Sequence, residues 1–271
     1  MKASPNGSAS SGGAGVASLG QTLGVRVLAV TGLKGGVGKT ATAVNLAALA
    51  GRSGHRTLLW DLDPQGAATH CFDLRPKLKG GAERLFGGDR DLQAAVKGTA
   101  DPWVDVVPAD VSLRNADLMV SASRKPGRVL RRLLAGASRR YDVAVLDCPP
   151  GLGAVAEAVV VTADLLLVPV LPAPLGVRAF EGYATFVAQE TGSDNLVAPF
   201  VSMIDRRKPL HRRMEAEIRT DRRFLATIVP LSSAVERLGH EQVPTVVSTP
   251  RSLAADGYRR LWAEVAERIS L

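Results

Sequence analysis

Three glycines, a lysine and a threonine in the run AVTGLKGGVGKTATAVNLA (29–47) have the types and spacing that phosphate binding requires. Gly35, Gly36 and Gly38 would let backbone N–H groups approach phosphate oxygens with no Cβ in the way. A helix starting at Gly38 would add the positive end of its dipole. Lys39 is spaced to bridge the β- and γ-phosphates and the Thr40 hydroxyl to ligate Mg2+, with Val37 and Ala41 completing the candidate stretch. Two features depart from the common pattern G-x-x-x-x-G-K-[ST]. Position 33 is Leu33 where that pattern has glycine, and Lys34 is a lysine it does not ask for.

Two further stretches bring carboxylates to the ends of apolar runs. In LLWDLDPQG, Asp61 and Asp63 are two residues apart, so both could point to one side of a strand end. A carboxylate near a γ-phosphate can orient or deprotonate an attacking water, whereas the plainer reading is two polar residues where a strand stops. In YDVAVLDCPPGLG, Asp147 closes a hydrophobic run, the place from which a carboxylate holds Mg2+ through water. Cys148, beside it, reads as a small buried residue next to a turn.

These three stretches need a scaffold that delivers them to one edge. Apolar runs at 25–31, 56–63, 104–110, 141–147, 164–170, 195–203 and 227–230 predict strands. They are continuous rather than alternating, as expected for strands buried on both faces. Helical patterns fill the gaps, among them 38–52 and a last helix carrying Leu253, Tyr258, Leu261, Trp262, Val265 and Ile269 on one face. The repeated βα order predicts an α/β fold, a doubly wound, mostly parallel sheet flanked by helices. In such a sheet ligands bind at the carboxyl ends of the strands, where all three stretches fall.

Composition narrows the classes further. The chain has 271 residues, 46% hydrophobic, with 34 Lys+Arg against 26 Asp+Glu, a formal charge of +8. That balance suits a polyanionic partner such as nucleic acid or an anionic membrane. Two cysteines far apart argue against a disulfide framework and fit a reducing cytoplasm, and four scattered histidines show no metal-ligand spacing. Residues 1–23 are Gly/Ser/Ala-rich with one charge, which predicts a disordered tail ahead of a single domain at 24–271. The apolar stretch 158–177 is broken by Asp164 and three prolines and is read as a helix and a buried strand, not a membrane span.

The loop Lys34-Gly35-Gly36-Val37-Gly38-Lys39-Thr40 resembles the deviant Walker A motif, K-G-G-x-G-K-[ST], of the ParA/MinD superfamily of P-loop NTPases, which does not require glycine at position 33. The resemblance implies an ATPase that binds ATP and Mg2+ and dimerises on ATP, with Lys34 reaching the nucleotide of the other subunit. It implies the water-directing role for Asp63 in D-x-D-P-Q-G, a supporting role for Asp61 near Mg2+, and a γ-phosphate-sensing switch at Pro149-Pro150-Gly151. Further likeness runs through LLLVPVLPAPLGVRAFEGY, where Ala173 and Gly176 depart from the commoner residues. IVPLSSAVERLGHEQVP is similar to the stretch near the base-binding edge, so nearly all of 25–271 is covered. Trp60 stands where Val or Ile is commoner.

Within that superfamily, ParA-like partition proteins grip non-specific DNA and MinD-like proteins grip membrane through a C-terminal amphipathic helix. Here the last helix ends AEVAERISL, with Glu264 and Glu267 and no basic extension, so membrane attachment is not expected. The basic stretch 203–223 favours DNA: Arg207 falls at the arginine of a D-x-R-[ST]-x-L pattern, flanked by Arg206 and Lys208, with Arg259 and Arg260 extending the patch. Leu231 stands where many ParA proteins carry an arginine used for DNA, and a second basic run (123–141) could serve DNA, a partner or only solvent. The resemblance therefore implies a cytoplasmic, nucleoid-associated partition or positioning ATPase, stimulated by a ParB-like partner or cargo adaptor. A MinD-like membrane ATPase, an electron-transfer reductase like nitrogenase iron protein and a metabolic P-loop ligase are the alternatives. The reductase would need two cysteines at the dimer face, and no substrate pocket for a ligase is visible in the sequence.

Overall fold

A computed structural model describes residues 23–194 and 196–271, so all of the predicted tail except Leu23 lies outside the described residues. Eight strands form one sheet: β1 (Arg26–Val30), β2 (Thr57–Asp61), β3 (Lys97–Gly98), β4 (Val104–Val107), β5 (Val143–Asp147), β6 (Leu165–Val170), β7 (Val197–Ile204) and β8 (Ile228–Pro230). Their order is β3-β4-β2-β5-β1-β6-β7-β8. Every neighbouring pair is parallel except the edge pair β3/β4. The seven strands expected from the apolar runs are all present. β3 was not expected, because a two-residue strand has no period to read.

Alternation along the central strands shows how the sheet is wound. Val27 and Ala29 of β1, with Leu58 and Trp60 of β2, face one core that includes side chains of the helices Gly81–Gly87, Val129–Ala137, Ala154–Val160 and Pro174–Thr191. Leu28, Val30 and Leu59 face the other, built with the helices Lys39–Arg52 and Leu253–Arg268. Leu28, Leu58 and Leu59 are fully buried, each worth about 2–3 kcal/mol of transfer free energy. The indole of Trp60 stacks on Phe86 at 6.4 Å, so the large residue ahead of D-x-D is part of the first core.

This winding opens the crevice. β1 lies between β5 and β6. The helix after β1 packs on one face of the sheet, and the helix after β5, Ala154–Val160, packs on the other. Two loops that leave adjacent strand ends in opposite directions leave a gap between them, at the carboxyl edge of a parallel sheet. The last helix presses Tyr258, Leu261, Trp262, Val265 and Ile269 into the second core, whereas Leu253, expected on the same face, stands at the helix start and is 78% exposed. Among the described residues no helix is long and apolar enough to cross a membrane.

Candidate nucleotide site

The loop after β1 is shaped by positive backbone angles. Gly36 (φ 70°) and Gly38 (φ 93°) lie in the left-handed region, where other residues are strained. A Cβ on Gly38 would stand 3.2 Å from Ser202 Oγ, while one on Gly35 or Gly36 would meet nothing within 4 Å. The loop thus presses on β7 at Gly38 and is open at Gly35 and Gly36. Ser202 Oγ donates to the Val37 carbonyl at 2.9 Å, tying the loop to β7. Lys39 Nζ donates to the Lys34 carbonyl at 2.9 Å, which folds the lysine back along its own loop. No side chain caps the first turn of the helix that follows.

A cavity of about 380 Å3 opens beside this loop. Gly35, Gly36, Gly38, Lys39, Thr40 and Ala41 line one end, with Asp63 and Pro150 beside them. Met203, Val229, Pro230, Leu231, Ser232, Val235, Glu236 and Tyr258 also line the cavity, a mostly apolar set of the kind that takes a flat base. Met203 has φ 56° and falls where the β7/β8 register shifts, so its backbone is outside the ladder. Lys34 and Val37 line a separate small cleft with Val168 and Phe180, outside this cavity. Of the predicted nucleotide-binding stretch, the structure brings together Gly35, Gly36, Gly38, Lys39, Thr40 and Ala41, but not Lys34 or Val37.

Asp61 and Asp147 end neighbouring strands in direct register. Burial, then the nearby Asp61 charge, pushes the Asp147 carboxyl well above the usual carboxylate range; Thr40 and Lys39 oppose this less strongly. Both Asp147 carboxylate oxygens are buried without a hydrogen-bond partner. A buried carboxylate left unpaired is costly, and hard oxygen donors beside a threonine hydroxyl suit Mg2+. The residues present therefore fit the ion, with Thr40 and Asp147 as those that would hold it. Among the described residues there is no group of three or more His, Cys, Asp or Glu that could hold a metal. Mg2+ bound chiefly by phosphates and water needs none.

Asp61 is fully buried and its oxygens are used: Oδ2 accepts from Thr69 N (2.8 Å) and Thr69 Oγ1 (2.7 Å), and Oδ1 from Asp63 N (3.2 Å). Thr69 Oγ1 in turn accepts from Ala109 N at 2.9 Å, so Asp61 anchors the segment that carries Asp63. Burial raises the Asp61 carboxyl to about 6. Asp63 lines the cavity and spends Oδ1 on Gln65 N at 2.9 Å. The same burial, against the pull of Asp147, holds the Lys39 ammonium below its ordinary value. Cys71 and Cys148 are both buried and unpaired with each other.

The basic residues form a different picture from the one their spacing suggested. Arg206, Arg207 and Arg260, with Arg219, line a groove of about 940 Å3 between the β7–β8 edge and the last helix, which shares Pro230, Leu231, Ser232 and Glu236 with the nucleotide cavity. Four of the five candidates are already paired: Arg206 with Glu215 (2.9 Å), Arg207 with Asp205 (2.8 Å), Arg259 with Asp256 (3.6 Å), and Arg260 with the same Asp256. The Arg207 guanidinium holds the Asp205 carboxyl down at about 2. Lys208 is exposed and lies outside the groove lining. In the other basic run Arg132 donates to the Phe86 carbonyl (2.8 Å) and Arg140 to Gln93 (2.9 Å), so part of it is structural. Sequence reasoning did not assign Ser202 or Met203 to the site and read Tyr258 only as part of an apolar helix face; all three reach the cavity through packing of distant elements.

A family model described as an AAA domain, AAA_31, matches residues 25–192. The sporulation initiation inhibitor protein Soj of Bacillus subtilis is 29% identical over 251 residues, covering 89% of this chain and 98% of that protein. The chromosome-partitioning ATPase Soj of Thermus thermophilus is 31% identical over 254 residues, covering 90% and 97%. Among solved structures, a protein described as cobyrinic acid a,c-diamide synthase from Mycobacterium smegmatis, with bound ATP analogue and magnesium, is 27% identical with a TM-score of 0.73, covering 90% of this chain and 95% of that one.

Proposed function

Since the chain belongs to the ParA/Soj-type family of AAA-domain P-loop ATPases, we propose that it works as an ATP-switched partition or positioning ATPase that rides on DNA. Residues 24–271 act as one domain in this cycle. ATP lies with its phosphates on Gly35–Thr40 and its base in the slot between Met203 and Tyr258. Lys39 neutralises the β- and γ-phosphates, and Thr40 and Asp147 hold Mg2+, which when bound withdraws charge from the phosphate oxygens. Asp63 orients the attacking water, with Asp61 fixing the segment on which Asp63 sits.

The observation that carries the dimer reading is the position of Lys34. It belongs to the phosphate loop but lies outside its own nucleotide cavity. A cation so placed serves a phosphate brought by a second copy of the chain, where it offsets the charge of two facing triphosphates. Dimerisation sets two basic grooves side by side, and Arg206, Arg207, Lys208, Arg259 and Arg260 grip phosphates without reading sequence. Exposed ion pairs such as Arg260–Asp256 are worth only about 0–1 kcal/mol, so DNA phosphates displace their carboxylates at small cost. A ParB-like protein or cargo adaptor then stimulates hydrolysis and releases the dimer, giving a cytoplasmic protein concentrated on the nucleoid.

DNA co-sedimentation with ATP, ADP or no nucleotide tests this. Wild type and Asp63→Ala bind only with ATP, whereas Lys34→Ala and Arg207→Glu do not. Binding that ignores nucleotide, or no binding at all, removes the DNA-clamp reading. One observation favours a second reading: the groove beside the nucleotide cavity is large enough for a substrate, and the M. smegmatis neighbour is described as a diamide synthase. ATP turnover that depends on glutamine and a carboxylate acceptor, and not on DNA, would support it.

A further inference from the structure

The loop Cys148–Gly153 leads from Asp147 to the helix Ala154–Val160, and Pro150 within it lines the nucleotide cavity. Its first end is fixed by the sheet: Cys148 N donates to the Val30 carbonyl (3.1 Å), and the Asp147 carbonyl accepts from Leu62 N (2.9 Å). Its middle is not packed. A Cβ on Gly151 would meet nothing within 4 Å, and a cavity of about 70 Å3 lies beneath the loop. The second end has no cap of its own, because Gly153 is the N-cap residue and has no side chain. Asp117, from the helix Ala116–Ser121, supplies one: Val155 N donates to Asp117 Oδ1 at 2.9 Å. The fit is tight, since a Cβ on Gly153 would stand 2.2–2.4 Å from the three carboxylate atoms of Asp117.

We propose that Asp117 is a positioning residue for ATP hydrolysis: by capping the helix Ala154–Val160 from outside, it fixes the far hinge of the loop that carries Pro150 to the phosphates. A cap that only stabilised a helix would not need glycine beneath it or a void under the loop. Here the loop is tied at both ends, while at Gly151 an added Cβ would meet nothing within 4 Å and a cavity of about 70 Å3 adjoins the span. Apart from Pro150, the residues lining the nucleotide cavity come from other elements, so losing the cap should affect the chemical step and leave nucleotide affinity in place. The inference rests on the ATPase reading of the site.

The test uses the full chain as Asp117→Ala, Asp117→Asn and Gly153→Ala. Affinity for a fluorescent ATP analogue with Mg2+, single-turnover hydrolysis, amide exchange at Val155 and Tm are measured together. Asp117→Ala and Gly153→Ala should lower the hydrolysis rate by about fivefold or more with affinity within about twofold, and speed exchange at Val155. Asn keeps a carbonyl acceptor, so Asp117→Asn should return most of the rate. If Asp117→Ala fails to fold, Gly153→Ala displaces the same carboxylate in an otherwise intact chain. Unchanged hydrolysis in Gly153→Ala despite faster exchange overturns the proposal. So does a loss that tracks Tm and is not rescued by Asn. A wild type that binds the analogue but never hydrolyses ATP would instead count against the ATPase reading itself.

Discussion

Lys39 and Asp147 are groups of opposite charge type in a place where burial disfavours the charged form of both. Lys39 is only 7% exposed and Asp147 1% exposed. Bringing a polyphosphate and a divalent cation into the crevice supplies what each lacks. Lys39→Ala is therefore expected to weaken Mg-ATP binding by at least about tenfold, the loss of a charge-assisted contact, as read by equilibrium titration. Asp63→Ala should bind ATP near wild-type affinity and lose about 100-fold or more in hydrolysis, since in the proposed cycle its carboxylate acts on water rather than on nucleotide. Asp61 yields a pH prediction. Its folded value of about 6 lies above the ordinary 3.8 of an aspartate, so between these the folded protein keeps a proton that the unfolded chain has released. Its contribution is present below about pH 4 and is lost as pH rises through about 6. At about 1.4 kcal/mol per pKa unit, this amounts to about 3 kcal/mol. The nucleotide-free protein should lose Tm across that window on thermal scans, and Asp61→Asn should reduce the loss by Asp61's share, while the buried Asp147 carboxyl keeps a loss of the same sign.

At the scale of elements, the helix Lys39–Arg52 must be held so that its first turn faces the proposed phosphate site. Asn45, buried within it, donates to the Ala41 carbonyl and accepts from Val246 N, both near 2.9 Å, tying the helix to the segment 245–248. Asn45→Ala leaves the Val246 amide unpaired in the core and should cost about 1–3 kcal/mol in denaturant unfolding. Gly38→Ala combines a left-handed backbone angle with a Cβ 3.2 Å from Ser202 Oγ. It should cost about 1–2 kcal/mol and reduce ATP affinity, because relief of the contact requires the loop to lift from β7. Calorimetry with and without Mg-ATP separates the two effects.

For the whole molecule, charge is the property that matters. A formal charge of +8 is carried partly by arginines bound to their own carboxylates. Arg206→Ala and Arg207→Ala should each lower the slope of log affinity for DNA against log salt by about one, uniformly across sequences. Glu215→Gln frees Arg206 and Arg219 and should strengthen DNA binding. Gel shifts over a salt series check both.

Much of this was legible in the sequence because it depends on local runs. The phosphate loop, the strand-end Asp61, Asp63 and Asp147, and seven strands are set by residues adjacent in the chain. Burial on both faces writes an uninterrupted apolar run that needs no partner to be recognised. β3 was not legible, being two residues that pair only because β4 lies beside them. Trp60 reads as an oddity in the sequence and as a core residue once Phe86 is found under it. Contacts between distant positions were decided by tertiary structure alone: Asp117 on Val155, Ser202 on Val37, Asn45 on Val246, and the arginine–carboxylate pairs that occupy the basic groove. So was the separation of Lys34 from the cavity its own loop builds. Local sequence determines which residues stand at each strand end and what chemistry they bring. Packing determines which way each one faces, because that depends on elements that meet only when the chain has folded.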